Sequence, residues 1–97
     1  MYAMLRGRKY KLICKKLNAE AGYCVDPKES HPKIVICSSI RSVRDFLRIL
    51  IHEVDHGCNW DKAEEAVDEF SKDLADLLVR LGVTVDVAKA KQLMKGK

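Results

Sequence analysis

The apolar residues of this chain change their period once, near residue 42, and that change limits the fold more than any other feature. Before it, "YKLICKKL" (Tyr10–Leu17), "GYCV" (22–25) and "KIVIC" (33–37) are short runs of β-branched, aromatic and apolar residues that predict three strands. "DPKESHP" (26–32), with two prolines around polar residues, predicts the turn before the third. From Ser42 onward, Val43, Phe46, Leu47, Leu50, Ile51 and Val54 recur at i, i+3 and i+4, the spacing of an amphipathic helix that Gly57 ends. Asp61, with Glu64 three residues on, resembles a capping box opening a second helix. Its apolar face runs through Ala63, Val67, Phe70, Leu74, Leu77, Leu78 and Leu81, and Gly82 stops it. "VDVAKAKQLMKGK" predicts a short third helix in a basic tail over 82–97. Strands first and helices afterwards is an α+β order. The expected build is a small three-stranded sheet packed against two long helices, with a short helix at the end.

Ninety-seven residues hold one core, so a single domain over 1–97 is expected. With 47% hydrophobic and 33% charged residues the chain reads as globular, away from the disordered class. No apolar run approaches the ~20 residues of a membrane span. "MYAMLRGRKYKLICKK" lacks the apolar segment of a secretory signal, so a cytoplasmic address is expected. Cys14, Cys24, Cys37 and Cys58 contain no C-x-x-C pair, which argues against a zinc ribbon and for reduced thiols in or near the core.

The net charge of +4 is unevenly spread: residues 1–48 carry eleven Lys/Arg against four Asp/Glu, residues 49–97 seven against ten. A basic half suits nucleic acid or an acidic surface. No aromatic residues interleave with those charges in the way a single-strand binder would want, so a solvated sheet face is the favoured expectation.

The first predicted helix contains His52-Glu53-Val54-Asp55-His56, holding two of the three histidines. Residues i and i+4 share a helix face, so both imidazoles can point at one ion. Glu53 is rotated by about 100° from His52 and lies beside that ion, where a base acting on an activated water belongs. Chance yields this pattern in about one such composition in two hundred. The histidines fall roughly 160° and 200° around the helix from the centre of the apolar stripe, so an open cleft suits them better than a core.

Catalytic zinc needs a third protein ligand. On the second helix, Glu64 and Asp68 flank the apolar face, and the small residues Ser71 and Ala75 continue that flank and permit close approach. Glu65 and Glu69 turn towards solvent. Glu64 is the better ligand, with a helix-capping carboxylate as its other reading. Asp68, one turn on, can accept the free N–H of a liganding histidine. Cys58 is a less favoured thiolate ligand.

With Glu64-Glu65-Ala66-Val67-Asp68 following the histidine motif, the chain resembles the two-helix core of the gluzincin zinc metallopeptidases, whose second helix supplies a glutamate with an acid four residues later. The short interval between His56 and Glu64 is similar to that of small zincin-like proteins of phages and prophages and of minimal gluzincins. The resemblance covers most of the chain, although its specific part is five or six residues. It implies zinc, hydrolysis of peptide bonds, His52, His56 and Glu64 as ligands, and Glu53 as general base. A phage-infected bacterial host is a setting it allows. Asp55 departs from the usually apolar centre of the motif, and no downstream His or Tyr matches the family's transition-state donor.

The expectation is therefore a zinc-dependent peptidase acting on a peptide or protein, with "KIVIC" offering its edge to an extended substrate. Its rival is a non-catalytic module on the same scaffold, binding a protein or nucleic acid through the basic sheet. The tail, with Val85, Val87, Leu93 and Met94, is expected to close the back of the sheet and help complete an undersized core, against the alternative of lying in the cleft.

Overall fold

The structure, a computed structural model, describes residues 1–95. Its elements are β1 (Tyr2–Leu5), β2 (Arg8–Lys15), β3 (Gly22–Cys24), β4 (Lys33–Cys37), α1 (Val43–Cys58), α2 (Glu64–Arg80) and α3 (Val87–Leu93). This is α+β, but the sheet has four strands rather than three, in the order β1-β2-β4-β3. β2 and β4 run parallel, and the two outer pairs are antiparallel. The unexpected strand is β1. Arg6 and Gly7, both at positive φ (50° and 78°), turn it onto β2 in a two-residue hairpin. "YAML" is too short to announce itself by pattern.

β4 is not an edge, contrary to expectation. Ile34, Val35 and Ile36 are all fully buried, as suits a strand flanked on both sides and apolar on both faces. The free edge beside α1 belongs to β3 instead. Gly22 lets that strand pass beneath α1, since a Cβ there would lie 2.8 Å from the Val35 carbonyl oxygen and 2.9 Å from Ile49.

Tyr10, Leu12 and Cys14 of β2 join Ile34 and Ile36 on one face of the sheet, and Phe46 of α1 packs on them. The Tyr10 hydroxyl donates to the Gly57 carbonyl at 3.0 Å. A Cβ at Gly57 would come within 3.3 Å of the Tyr10 ring, so glycine lets the last turn of α1 settle there. Val87 and Met94 join this same cluster, so the tail extends the helix-covered core and does not close the back of the sheet. The Cys14 amide donates to the Met94 carbonyl at 2.9 Å, and Cys14 bridges Lys95 in parallel. The last residues, Gly96 and Lys97, lie outside the described range. All four cysteines are free, with Cys14 and Cys37 buried, as expected. No helix among the described residues is long and apolar enough to cross a membrane.

α2 packs along α1, rotated partly off its expected face. Val67 of that face is fully buried and Leu74 and Leu78 are half-buried, but Ser71 and Ala75 of its flank are buried with them, whereas Phe70, Leu77 and Leu81 are 46%, 47% and 70% exposed. Two small side chains let the helix axes approach, and that approach decides which stripe of α2 faces inward. The turn between the helices is tied by Asp55. Its buried carboxylate accepts from Asn59 Nδ2 and Lys62 Nζ, both at 2.7 Å. Burial alone would push the Asp55 carboxyl up, but the hydrogen bonds from Lys62 and Asn59 and the charge of Lys62 outweigh it and hold the carboxyl below the usual aspartate range. The acid that departs from the motif's apolar centre is thus a clamp on the helix–helix turn.

Two outcomes follow. Ending the chain after Gly82 removes Val87 and Met94 from the core, a loss of about 3–6 kcal/mol, comparable with the whole stability of a small domain. Such a chain should be insoluble or non-cooperative in thermal melts, and an unchanged midpoint would contradict a core role for α3. Asp55→Ala should cost about 1.5–3 kcal/mol in urea titrations near neutral pH, the loss of hydrogen bonds to a charged group, since Lys62 can turn to water. Because the folded pKa is lowered, this contribution is present above the unfolded value and lost as pH falls through the folded one. The gap between parent and variant should therefore close only in acid.

Candidate metal centre

Ser42 starts α1, its Oγ accepting from the Asp45 amide at 3.1 Å. One turn apart near the other end, His52 and His56 present their rings edge to face, centroids 4.8 Å apart at 69°. Both are part-buried and line an open cleft with Glu53, Gly22, Tyr23, Cys24 and Trp60. This is the placement expected of side chains turned away from the apolar stripe.

Glu64 completes the group. The capping box with Asp61 does not form: Ala63 is the N-cap of α2, with no side-chain cap bond. The Glu64 carboxylate turns instead to the histidines, with Oε2 at 2.9 Å from His56 Nε2 and 3.3 Å from His52 Nε2. The two Nε2 atoms are 3.1 Å apart. The three atoms thus form a triangle with every side at hydrogen-bonding distance. With Glu64 ionised, no arrangement of protons satisfies all three sides, because each Nε2 carries either one N–H or one lone pair and the carboxylate only accepts. If both nitrogens donate to the carboxylate, their N–H groups oppose each other. If one is unprotonated, its lone pair opposes the carboxylate oxygen. A cation between the three satisfies every one at once, so the donor set fits a metal ion.

Asp68 lies on the far side of His52, its Oδ1 3.7 Å from Nδ1 and 3.4 Å from an Arg48 nitrogen. This is an ion-pair distance rather than a hydrogen bond, on the ring nitrogen that points away from the triangle. Glu64 and Asp68 are exposed as Glu65 and Glu69 are, so what sets them apart is their reach to the histidines rather than burial. Cys58 is not brought to the group. It lines a separate hollow and its carbonyl accepts from Arg6 at 2.8 Å.

Glu53 is buried in the wall of the same cleft, whose volume is about 510 Å³. Burial pushes its carboxyl up to about 7, with His56 opposing the rise and Glu64 and Glu20 adding to it. Beside it, burial pushes the Cys24 thiol up to about 12, so the sulfur stays protonated. Gly22, Tyr23 and Cys24 reach the cleft because β3 is the edge strand under α1, a pairing order that no local pattern encodes. Trp60 packs edge-on to His56, ring centroids 6.4 Å apart. Its signal was the nearness of a lone tryptophan to the motif, four residues past His56.

No family model, curated protein or solved structure matches the chain, so what the centre can do rests on its own geometry.

Proposed function

We propose that this protein is a zinc-dependent peptidase of zincin-like build, in which His52, His56 and Glu64 hold the ion and Glu53 is the general base. The observation that carries this reading is the triangle of donor atoms. Zinc bonds of about 2.0–2.1 Å in a tetrahedron set neighbouring donors about 3.3 Å apart. The separations here are 2.9, 3.1 and 3.3 Å. Two imidazoles and a carboxylate suit zinc among the common ions, and three protein ligands leave the open position of a catalytic site.

When bound, zinc supplies Lewis acidity to a substrate carbonyl and to water. Glu53 accepts the proton of the water as it adds to the carbonyl carbon, then delivers it to the amine nitrogen as the C–N bond breaks. Asp68 Oδ1, 3.7 Å from the His52 ring nitrogen that faces away from the triangle, would fix that ring on closing to hydrogen-bonding distance. The free edge of β3 offers backbone donors and acceptors to an extended peptide in the same cleft. Such an edge takes an unfolded segment more readily than a folded surface.

Elemental analysis of protein prepared with zinc should find about one ion per chain. Glu53→Gln should keep that zinc and lose hydrolysis of an unfolded test protein, because the amide cannot accept the proton. Absence of metal, or cleavage by Glu53→Gln at the parent rate, would overturn the proposal. A more graded outcome is expected for Asp68→Asn. Losing the charge beside His52 Nδ1 should lower zinc affinity or rate ~10–100-fold. A silent substitution in both assays would make Asp68 a partner of Arg48 alone.

A further inference from the structure

On the face of the sheet turned away from α1, where Val35 is buried, the charged side chains that the strands supply are all of one sign. Lys9, Lys11 and Lys15 alternate along β2 with the buried Tyr10, Leu12 and Cys14, and therefore project from the other side. The register sets Tyr2 opposite Lys11 and Lys11 opposite Lys33, a tyrosine–lysine–lysine row across three strands. No carboxylate belongs to any strand. Among the described residues, none of these four lysines takes part in an ion pair. Like charges directly opposite across a ladder repel, so Lys11 beside Lys33 is unfavourable in the free protein and favourable only against a bound polyanion.

Tyr2 adds a second feature. It is 57% exposed, and Lys9 Nζ lies 4.6 Å from its ring centroid. With Lys9, Lys11, His31, Pro32 and Lys33 it lines a hollow of about 500 Å³ at this end of the sheet. That volume lies within the range of small-ligand sites. The β1–β2 hairpin carries Tyr2 across to the lysines, so an exposed aromatic ring stands among cationic groups on this face, whereas Tyr10 is buried on the other.

We propose that this face binds single-stranded nucleic acid, with phosphates on Lys9, Lys11 and Lys33 and a base on the Tyr2 ring. The lysines alone would serve an acidic protein segment or an anionic membrane equally well. An exposed aromatic ring set among them distinguishes a strand of stacked bases, each of which presents a π-face. The site lies on the opposite side of the sheet from His52 and His56, so occupancy of one leaves the other open.

Fluorescence anisotropy of a labelled oligothymidylate with the full chain, at low and rising salt, tests this. Three phosphate contacts predict a slope of about −2 in log K against log salt. Lys11→Gln with Lys33→Gln should weaken binding about tenfold or more and flatten the slope towards about −1. Tyr2→Ala should weaken it about tenfold with the slope unchanged, and Tyr2→Phe should retain it. These side chains lie on the face that α1 leaves uncovered, and circular dichroism checks that each variant folds. His52→Ala should bind as the parent does, so loss of the peptidase reading leaves this one standing. The proposal is overturned if the oligonucleotide does not bind at low salt, or if the lysine variant binds as tightly as the parent. It is also overturned if polyglutamate or phosphatidylserine vesicles compete equally and Tyr2→Ala is without effect, which would assign the face to an acidic protein or a membrane.

Discussion

The approach of α2 to α1 is the contact on which the candidate centre depends. Glu64, Asp68, Ser71 and Ala75 stand at i, i+4, i+7 and i+11, one stripe of α2. The lower half of that stripe is small enough to let the helices close, and the upper half carries the carboxylates that close contact delivers to His52 and His56. Packing and ligand placement are therefore one geometric fact. The Asp55 clamp acts on the same contact from the turn, holding Lys62 and Asn59 so that α2 starts within reach of His56.

That orientation has a cost in apolar burial. Turning Ser71 and Ala75 inward leaves Phe70, Leu77 and Leu81 exposed, and Lys62 covers only part of Phe70 with its ammonium 4.7 Å from the ring centroid. A stripe of large apolar residues would bury more area than one of small residues. A local preference set aside in this way is expected where a site needs a particular geometry. The close-set Nε2, Nε2 and Oε2 atoms are the second such feature, a grouping whose three lone pairs a single cation would satisfy together.

The charge asymmetry between the two halves of the chain becomes a separation in space. The strands come from the basic half and leave their lysines on the uncovered face of the sheet. The acidic half contributes the helices, and Glu53 and Glu64 join Glu20 around the cleft on the other side. The acidic cleft and the basic strand face thus lie on opposite sides of the sheet.

The α+β class, the bounds of β4, the start of α1 at Ser42 and the pairing of His52 with His56 were legible in the sequence. Each depends on spacing along one element, and a helix or strand imposes that spacing by its own geometry. The candidacy of Glu64 was legible too, but its rival role as a cap was excluded only when Ala63 proved to be the N-cap. Other features belong to relations between elements. β1 exists as a strand only because the Arg6–Gly7 turn pairs it with β2. β4 is internal and β3 the edge because the order of pairing is settled by the whole sheet. α2 leaves Phe70, Leu77 and Leu81 exposed because the fit against α1 through Ser71 and Ala75 outweighs its own apolar periodicity. The sequence by itself determined which residues could share a face. Tertiary structure alone decided which face met which, because burial and close contact are properties of two surfaces together and no period along one chain segment contains them.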